Sequence, residues 1–277
     1  MKKTTKLSMI VAAAFLIFTA CAASAQHTLT KLWATDSVLN TPESVLPANG
    51  VLYVSLIDGG PWDKDGKGGV AQVSPDGKVI NANWVTGLSA PKGLGIHGNW
   101  LYAADVDEVA VINIKNGRID HKIPVAGAKG LNDITVDDKG VVYVTDSMTG
   151  MVHRIENGKA TSYQEGFKGI NGAKAIGSKL YVLTDDGMYL TGADKKSTKI
   201  TVLEHGGDGI EPVGNGDFLV TAWEGYLYYV QANGTKDVLL DTHTTNNKTA
   251  DIGYDAKARI IYVPTFMGKS VVAYQLK

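Results

Sequence analysis

The sequence predicts an all-β protein, a six-bladed β-propeller, and three observations support this fold class. A short aromatic and β-branched strand recurs six times, tight turns flank its copies, and the last unit lacks one strand that the N-terminal segment can supply. Self-similarity at a period of about 40 residues is the sequence signature of propellers and other repeat architectures. No linker interrupts residues 26–277, so we expect them to form one domain.

The repeated strand is an apolar triplet, usually centred on tyrosine, followed by a polar or acidic residue. Its copies stand 38 to 49 residues apart, which is the spacing of four-stranded propeller blades. The six copies begin at Leu52, Leu101, Val142, Leu180, Phe218 and Ile261.

Tight turns separate the strands of each unit. Asn-Gly and Asp-Gly pairs between apolar runs favour type I′ hairpins, because both turn residues then adopt positive φ. Each repeat is therefore interpreted as a four-stranded antiparallel blade, with strands A to D from the channel outward. The pairs include Asn49-Gly50, Asp76-Gly77, Asn116-Gly117, Asn157-Gly158, Asn215-Gly216 and Asn233-Gly234.

The sixth unit is one strand short. After the copy at Ile261, the chain has room for a single further strand over residues 270–276. The alternating run over residues 29–34 is expected to complete the blade as its outer strand, because closing the ring removes free sheet edges. A β-sandwich is the alternative fold, but a sandwich does not repeat a turn-strand-turn unit six times.

The N-terminus has the pattern of a signal peptide over residues 1–25. Basic residues precede an apolar run over residues 7–18, and Ala23-Ser24-Ala25 follows as a cleavage site. We expect an exported protein, periplasmic or secreted. Thr19-Ala20-Cys21 offers an alternative, a lipoprotein box that would leave Cys21 lipidated.

Composition excludes several classes of function. Cys21 is the single cysteine, so the mature chain has no disulfide, thiol nucleophile or cysteine-zinc site. The net charge of −1 gives no basic surplus for nucleic acid or an anionic membrane. The apolar run is too short for a membrane span with normal flanks, so we expect no transmembrane segment, and we expect a monomer.

Aligning the starts of the six A strands produces one column of residues that should point to one spot above the channel. Its members are Glu43, Lys92, Asn132, Asn171, Asp208 and Ala250. Two carboxylates and two amide oxygens predict a site for one divalent cation, Ca²⁺ or a similar hard ion such as Mg²⁺ or Mn²⁺. A hydrogen-bonded network that caps the channel mouth is the alternative. Lys92 could pair with Glu43 or Asp208, or turn outward to bind an anionic substrate group.

Further candidates lie on the loops of the same face. The insert over residues 58–69 has the length and glycine content of a mobile lid, and Trp62 within it could cover an apolar part of a ligand. Other candidates on this rim are Asp105, Asp107, Asp146, Asp185, Asp186, Trp223, Glu224, Phe266 and Met267.

These residues resemble a known family. Glu43, Leu131-Asn132-Asp133, Ile170-Asn171-Gly172 and Asp208-Gly209 are similar to motifs of the senescence marker protein, gluconolactonase and luciferin-regenerating enzyme family, which includes regucalcin. The resemblance implies a six-bladed propeller that hydrolyses lactones with a single divalent metal, commonly calcium. It also implies that Glu43, Asn171 and Asp208 are the main metal ligands and that Asn132 is the fourth.

The first functional hypothesis is therefore an exported, gluconolactonase-like hydrolase of small lactones. Asp208 or Glu43 would accept a proton from the attacking water. Lys92, Trp62, Asp133 and Trp223 would bind the substrate. The second hypothesis is a non-catalytic periplasmic propeller that binds a sugar acid or another small anionic ligand.

Overall fold

A computed structural model describes residues 27–277 of the protein. The predicted signal peptide and Cys21 lie outside these residues. The described chain forms six four-stranded antiparallel sheets whose inner strands pack side by side in a ring, which confirms the six-bladed β-propeller. In this part of the chain, no helix has the length and apolar character needed to cross a membrane.

The strands follow the expected order, and the N-terminal strand β1 (Leu29–Ala34) belongs to the last blade. Blade 1 contains β2 (Pro42–Ala48), β3 (Val51–Leu56), β4 (Gly68–Val73) and β5 (Val79–Leu88). Blade 2 contains β6 (Pro91–His97), β7 (Trp100–Asp105), β8 (Glu108–Asn113) and β9 (Arg118–Pro124). Blade 3 contains β10 (Leu131–Val136), β11 (Val142–Asp146), β12 (Met151–Glu156) and β13 (Lys159–Gln164).

The second half of the ring repeats this arrangement. Blade 4 contains β14 (Ala173–Ile176), β15 (Lys179–Thr184), β16 (Gly187–Thr191) and β17 (Ser197–Val202). Blade 5 contains β18 (Ile210–Gly214), β19 (Asp217–Ala222), β20 (Tyr226–Val230) and β21 (Lys236–Asp241). Blade 6 contains β22 (Gly253–Asp255), β23 (Ile260–Pro264), β24 (Val271–Leu276) and β1, with a 3₁₀ turn at Phe266–Gly268.

The turn types agree only in part with the prediction. Both residues of Asn49-Gly50, Asn157-Gly158 and Asn215-Gly216 have positive φ, as a type I′ turn requires. The same prediction is wrong at Asp76-Gly77, Asn116-Gly117 and Asn233-Gly234, where only the glycine has positive φ. Asp76-Gly77 and Asn233-Gly234 lie in three-residue loops, closed for example by Gly77 N–H to Ser74 O at 2.9 Å. In such loops a type I turn is followed by a left-handed glycine.

Closure of the ring by the N-terminal strand is confirmed. Strand β1 pairs antiparallel with β24, from Leu29 opposite Leu276 to Ala34 opposite Val272. Trp33 then reaches from this strand to blade 1, where its Nε1 donates a hydrogen bond of 3.1 Å to Pro75 O. Trp33 also packs on the apolar cluster shared by blades 1 and 6. The closing strand therefore joins the first and last blades through side chains as well as through backbone pairing.

The apolar core lies between neighbouring blades. Tyr53 and Val70 of blade 1 pack with Leu101 of blade 2, and comparable clusters fill the other interfaces. Each blade therefore buries both of its faces against its neighbours, which leaves the starts of the inner strands free to carry polar side chains into the channel.

We expect Trp33→Ala to lower the free energy of unfolding by about 2–3 kcal/mol, because the substitution removes a half-buried aromatic ring from the contact between blades 6 and 1. Urea unfolding followed by far-UV circular dichroism measures the change. Leu32→Ala is the matched control, since Leu32 lies on the same strand and is 45% exposed; its effect should stay within about 0.5 kcal/mol. Equal losses for the two variants would contradict this role of Trp33.

Candidate functional site

The starts of the inner strands carry the predicted column of polar residues. Glu43, Lys92 and Asn132 lie in β2, β6 and β10, and the ladder of each of these strands shifts register within the first three residues. Bulges of this kind change the direction of a side chain and are common beside functional sites. In blades 4 and 5, Asn171 and Asp208 lie two residues before the first residue of β14 and of β18.

Hydroxyl groups on the second strands hold these irregular starts in place. Thr145 Oγ1 accepts a hydrogen bond of 2.9 Å from Asp133 N–H and donates one of 2.7 Å to Asn171 O in the next blade. Thr221 Oγ1 repeats the pattern with Gly209 N–H at 2.8 Å and Ala250 O at 2.9 Å. Sequence reasoning missed this role, although both threonines stand at the same position of the repeated strand.

Glycine after the column residue allows neighbouring inner strands to come very close together. A side chain on Gly209 would place its Cβ 2.5 Å from Ile252 N and 2.8 Å from Asp251 Cα in the next blade. A Cβ on Gly172 would collide with the backbone carbonyl of Asp208 in the same way. The Asn171-Gly172 and Asp208-Gly209 pairs therefore combine a polar side chain with the close approach that narrows the channel.

Three oxygens at this place are buried and have no hydrogen-bond partner in the described part of the chain. They are Glu43 Oε2, Asn171 Oδ1 and Asp208 Oδ1. Glu43 and Asp208 are 5% and 2% exposed. Burying such groups without a partner costs several kcal/mol each, so these three oxygens are the candidate ligand atoms of the site.

The pKa shifts of these carboxylates agree with their burial close to one another. Burial, and secondarily the charge of Asp208, raises the pKa of Glu43 well above its usual range, and Lys92 opposes this rise. Burial also raises the pKa of Asp208, together with the charge of Asp251, while a hydrogen bond with Asn171 opposes it. Glu43, Lys92, Asn171 and Asp208 therefore share one small, desolvated space.

Asn132 is oriented by a residue that sequence reasoning did not identify. Its Nδ2 donates a hydrogen bond of 3.0 Å to Ser147 Oγ, and Ser147 Oγ donates one of 2.6 Å to Ile170 O. These two hydrogen bonds engage the amide nitrogen of Asn132 and thereby fix the direction of its Oδ1. Ser147 follows β11 on the rim, and no sequence pattern marks it.

Lys92 is held by the insert of blade 1. Its Nζ donates to Pro61 O and, at 3.2 Å, to Ala90 O. The same ammonium lies 3.8 Å from the centroid of the Trp62 ring, a cation–π contact. Burial lowers the pKa of Lys92, although Glu43 opposes this effect. Among the ion pairs of the described residues, none includes Lys92, so the direct pair with Glu43 or Asp208, one of the two roles considered for it, is not formed.

The insert is also fastened at its tip. Lys64 Nζ lies 2.8 Å from Asp107 Oδ1 on blade 2, and Trp62 is half-buried over the channel mouth. The other predicted tryptophan, Trp223, is 40% exposed on the opposite rim and contacts Phe266 edge to face at 5.6 Å.

Asp133 lies deeper in the channel than the column residues. Its carboxylate accepts hydrogen bonds of 2.6 Å from the N–H groups of Ile134 and Ala173. Burial and the charge of Asp251 raise the pKa of Asp133 well above its usual range. Asp251 accepts a hydrogen bond of 2.6 Å from Ser44 Oγ, and burial raises its pKa to about 7. These two carboxylates form a second polar level below the ring of unpaired oxygens.

Two of the rim carboxylates accept hydrogen bonds from backbone N–H groups of neighbouring loops. Asp105 accepts hydrogen bonds of 2.8–3.0 Å from the N–H groups of Ser89 and Ala90. Asp146 accepts from the N–H groups of Lys129, Gly130, Met148 and Thr149 at 2.9–3.1 Å. Both are fully buried, so they fix the loops that carry Lys92 and Asn132 and do not face the mouth.

The donor set at the mouth is poor in charged ligands. Within residues 27–277, no group of three or more His, Cys, Asp or Glu side chains is arranged to hold a metal ion. Two carboxylates and two amides form the ring instead. Neutral amide oxygens suit hard cations such as Ca²⁺ and do not suit zinc or copper, which prefer nitrogen and sulfur.

Comparison with known proteins identifies the fold. No protein-family model and no curated protein sequence matches the chain. A gluconolactonase from Xanthomonas campestris superimposes with a TM-score of 0.66 at 14% identity, covering 91% of this chain and 90% of that one. Another protein described as a gluconolactonase gives 0.67 at 15%, covering 92% and 93%. Inactive virginiamycin B lyase from Staphylococcus aureus with quinupristin gives 0.62 at 15%, covering 91% and 100%.

These similarities show a gluconolactonase-like propeller at the level of fold. Lyases and gluconolactonases share it, and the same architecture can carry unrelated chemistry. The fold therefore does not determine the activity of this chain, which depends on the residues of its own site.

We expect Asp146→Asn to lower the free energy of unfolding by about 2 kcal/mol at pH 7. The imidazole of His153, whose Nε2 lies 3.8 Å from Asp146 Oδ2, and hydrogen bonds from the backbone outweigh burial and lower the pKa of Asp146 to about 2, compared with about 3.9 in an unfolded chain. A lowered pKa stabilises the fold above about pH 4, and this contribution is lost as the pH falls from about 4 to about 2.

Chemical unfolding at pH 7, 5, 4 and 3 measures the difference between wild type and variant, which should shrink over the last two steps. Asp138→Asn, on an exposed turn of the same blade, is the matched control and should change stability by less than about 0.5 kcal/mol throughout. A difference for Asp146→Asn that is independent of pH would contradict the assignment.

Proposed function

We propose that this propeller is a hydrolase of small lactones that depends on one divalent cation, calcium, at the mouth of its channel. The observation that supports this most strongly is the group of three buried, unpartnered oxygens on Glu43, Asn171 and Asp208. A capping network, the alternative from sequence, would have used these atoms in hydrogen bonds, as Thr145 and Thr221 are used.

The cation would be held by Glu43, Asn171 and Asp208, with Asn132 as the fourth ligand. Oxygen donors of mixed charge, with water completing the coordination, match the preferences of Ca²⁺. When bound, such an ion polarises a carbonyl oxygen and makes a nearby water more acidic.

The protein's own residues would carry the proton transfer. In lactone hydrolysis, water adds to the carbonyl carbon, the ring C–O bond breaks, and the leaving oxygen takes a proton to become a hydroxyl. Glu43 or Asp208 would accept the proton of the attacking water and return it to the leaving oxygen.

Trp62, Lys92 and the insert would enclose the reacting ring. Trp62 covers Lys92, and the Lys64–Asp107 pair fastens the same segment to blade 2. This arrangement would exclude bulk water from the channel mouth and strengthen electrostatic interactions there.

A second candidate function is binding without turnover of a sugar acid or another small anion. The observation in its favour is Lys92, a buried ammonium 4% exposed beside the same carboxylates. An anionic ligand that displaced Pro61 O from Lys92 would have its charge compensated without any metal.

We expect the purified protein to contain about one equivalent of calcium, and Glu43→Gln and Asp208→Asn to weaken calcium binding on the order of 100-fold, because each removes a charged ligand. Elemental analysis and calorimetric titration measure content and affinity. Asp185→Asn, an exposed rim carboxylate outside the ring, is the matched control and should keep normal affinity.

Thermal unfolding adds an independent measurement. Calcium should raise the melting temperature of wild type and of Asp185→Asn and have little effect on the two ring variants. Without metal, Asp208→Asn should be at least as stable as wild type, because it removes a buried charge. Wild-type protein that binds no divalent cation, even at millimolar concentration, would refute the metal site and favour the anion-binding function.

We expect Asp208→Asn to reduce kcat/KM for hydrolysis of glucono-1,5-lactone by about 10²–10⁴-fold at saturating calcium, because a proton acceptor and a ligand are both lost. A pH-indicator assay that follows acid release measures the rate, with Asp185→Asn again as control. Unchanged hydrolysis in Asp208→Asn would rule out the mechanism. Binding of intact lactone with no acid released by wild type would support the non-catalytic function.

A further inference from the structure

The face that carries the site is unusually rich in exposed sulfur and aromatic side chains. Met148 and Met267 are each 52% exposed, and Trp223 is 40% exposed. All three lie on loops that follow the second strand of a blade, at the face where the inner strands begin. The other large exposed hydrophobic residues in the described chain are aliphatic, and most, such as Ile80 and Val238, lie on outermost strands.

One apolar wall stands directly beside Asn132. A methyl group on Gly130 would lie 2.7 Å from Met148 Cγ and 3.1 Å from Trp62 Cζ3. Side chains from blades 1 and 3 therefore meet over the backbone two residues before a proposed ligand. Met148 projects beyond this contact into solvent, and its thioether adapts readily to apolar groups of different shape.

A second apolar wall stands on blades 5 and 6. Trp223 contacts Phe266 edge to face, and Phe266 packs on a buried cluster of Ile57, Ala90 and Val106 from blades 1 and 2. Phe266 has φ of +50°, a conformation that is costly for a bulky residue. Strain of this kind is usually kept where a side chain must be aimed in a particular direction. Met267 follows it at the mouth.

The two walls form an apolar rim on blades 5, 6, 1 and 3, and the exposed Lys64–Asp107 ion pair interrupts this rim at blade 2. Blade 4 interrupts it with Asp185 and Asp186, both exposed. A polyhydroxylated lactone needs a hydrogen-bond partner for most of its hydroxyls, and burying a hydroxyl against these side chains would leave it unpaired. An alkyl or aryl group would instead gain from contact with tryptophan, phenylalanine and methionine.

We infer that the substrates are lactones with an apolar substituent of several carbons, the ring lying over the four oxygens and the substituent along Trp62, Met148, Trp223, Phe266 and Met267. This inference rests on the lactone hydrolysis proposed above and names the substrate class. The reaction is the same: water adds to the carbonyl carbon, the ring C–O bond breaks, and the product is a hydroxy acid with an apolar tail.

The test keeps the size of the lactone ring constant and varies the length of its alkyl substituent. A series of δ-lactones with 5-alkyl chains of one to seven carbons is compared with glucono-1,5-lactone, at saturating calcium and with the mature protein. We expect kcat/KM to rise about 2–4-fold for each added methylene over the first several carbons, since a fully buried methylene gains about 0.8 kcal/mol. Glucono-1,5-lactone should be the poorer substrate.

Variants locate the effect. Trp223→Ala and Met267→Ala should flatten the dependence of kcat/KM on chain length. Trp223→Phe should restore most of the dependence. Val238→Ala, an exposed aliphatic residue on an outer strand, is the control and should leave the series unchanged. Circular dichroism of each variant checks that it is folded.

A binding measurement separates this inference from the proposed reaction. The hydroxy acids of the same series are titrated into Asp208→Asn protein while tryptophan fluorescence is followed, and affinity should again rise with chain length. Hydrolysis of glucono-1,5-lactone with no chain-length dependence in rate or affinity would overturn the inference and leave the proposed function standing. Chain-length-dependent affinity without hydrolysis of any lactone would refute the proposed function and uphold the class of ligand.

Discussion

The inner strands come very close together at one end of the channel, and the arrangement of the polar residues at the site depends on this contact. At Gly172 and Gly209, neighbouring strands come so near that no side chain beyond a hydrogen fits between them. The residues just before these glycines, Asn171 and Asp208, must then project into a space from which water is largely excluded. The narrowing therefore creates both the convergence of the ring and its electrostatic strain.

Hydrogen bonds organise this end of the channel but do not satisfy it. Thr145 and Thr221 tie each strand start to the next blade, and Asp105 and Asp146 collect the N–H groups of the loops that lead into the strands. Three side-chain oxygens are left over, and leaving a buried carboxylate unpaired is one of the most unfavourable arrangements in a folded protein. Glu43, Asn171 and Asp208 therefore each keep a buried oxygen without a partner among the described residues.

Most of the fold could be predicted from the sequence because each repeat is built from turns and strands that neighbouring residues specify. Turn pairs such as Asn49-Gly50 and the alternating run of β1 act within a few residues, so their pattern is visible without a structure. The same alignment of strand starts also placed Glu43, Asn132, Asn171 and Asp208 in one column.

The details that could not be predicted depend on long-range contacts or on bulges. Ser147 is marked by no pattern, and the Ser44–Asp251 hydrogen bond joins residues 207 positions apart. A register shift in β10 decides that Asp133 turns toward the backbone of the next blade and does not join the ring. From its charge, Lys92 could have had either a carboxylate partner or an anionic substrate group, whereas the insert supplies a backbone carbonyl and an aromatic face.

The charge balance of the mouth connects Lys92 with the proposed reaction. When both are ionised, Glu43 and Asp208 together carry two negative charges, and the ammonium form of buried Lys92 offsets one of them. A divalent cation would leave the ring with one net positive charge when all three groups are ionised. A neutral lactone does not change that balance, but the carboxylate of its hydroxy-acid product brings it to zero. At low dielectric such a balance is worth more than the same charges in water. Lys92 would therefore make the ring attract the charge that develops on the reacting carboxyl group, and the contacts with Pro61 and Trp62 would hold its ammonium close enough to act without displacing the cation.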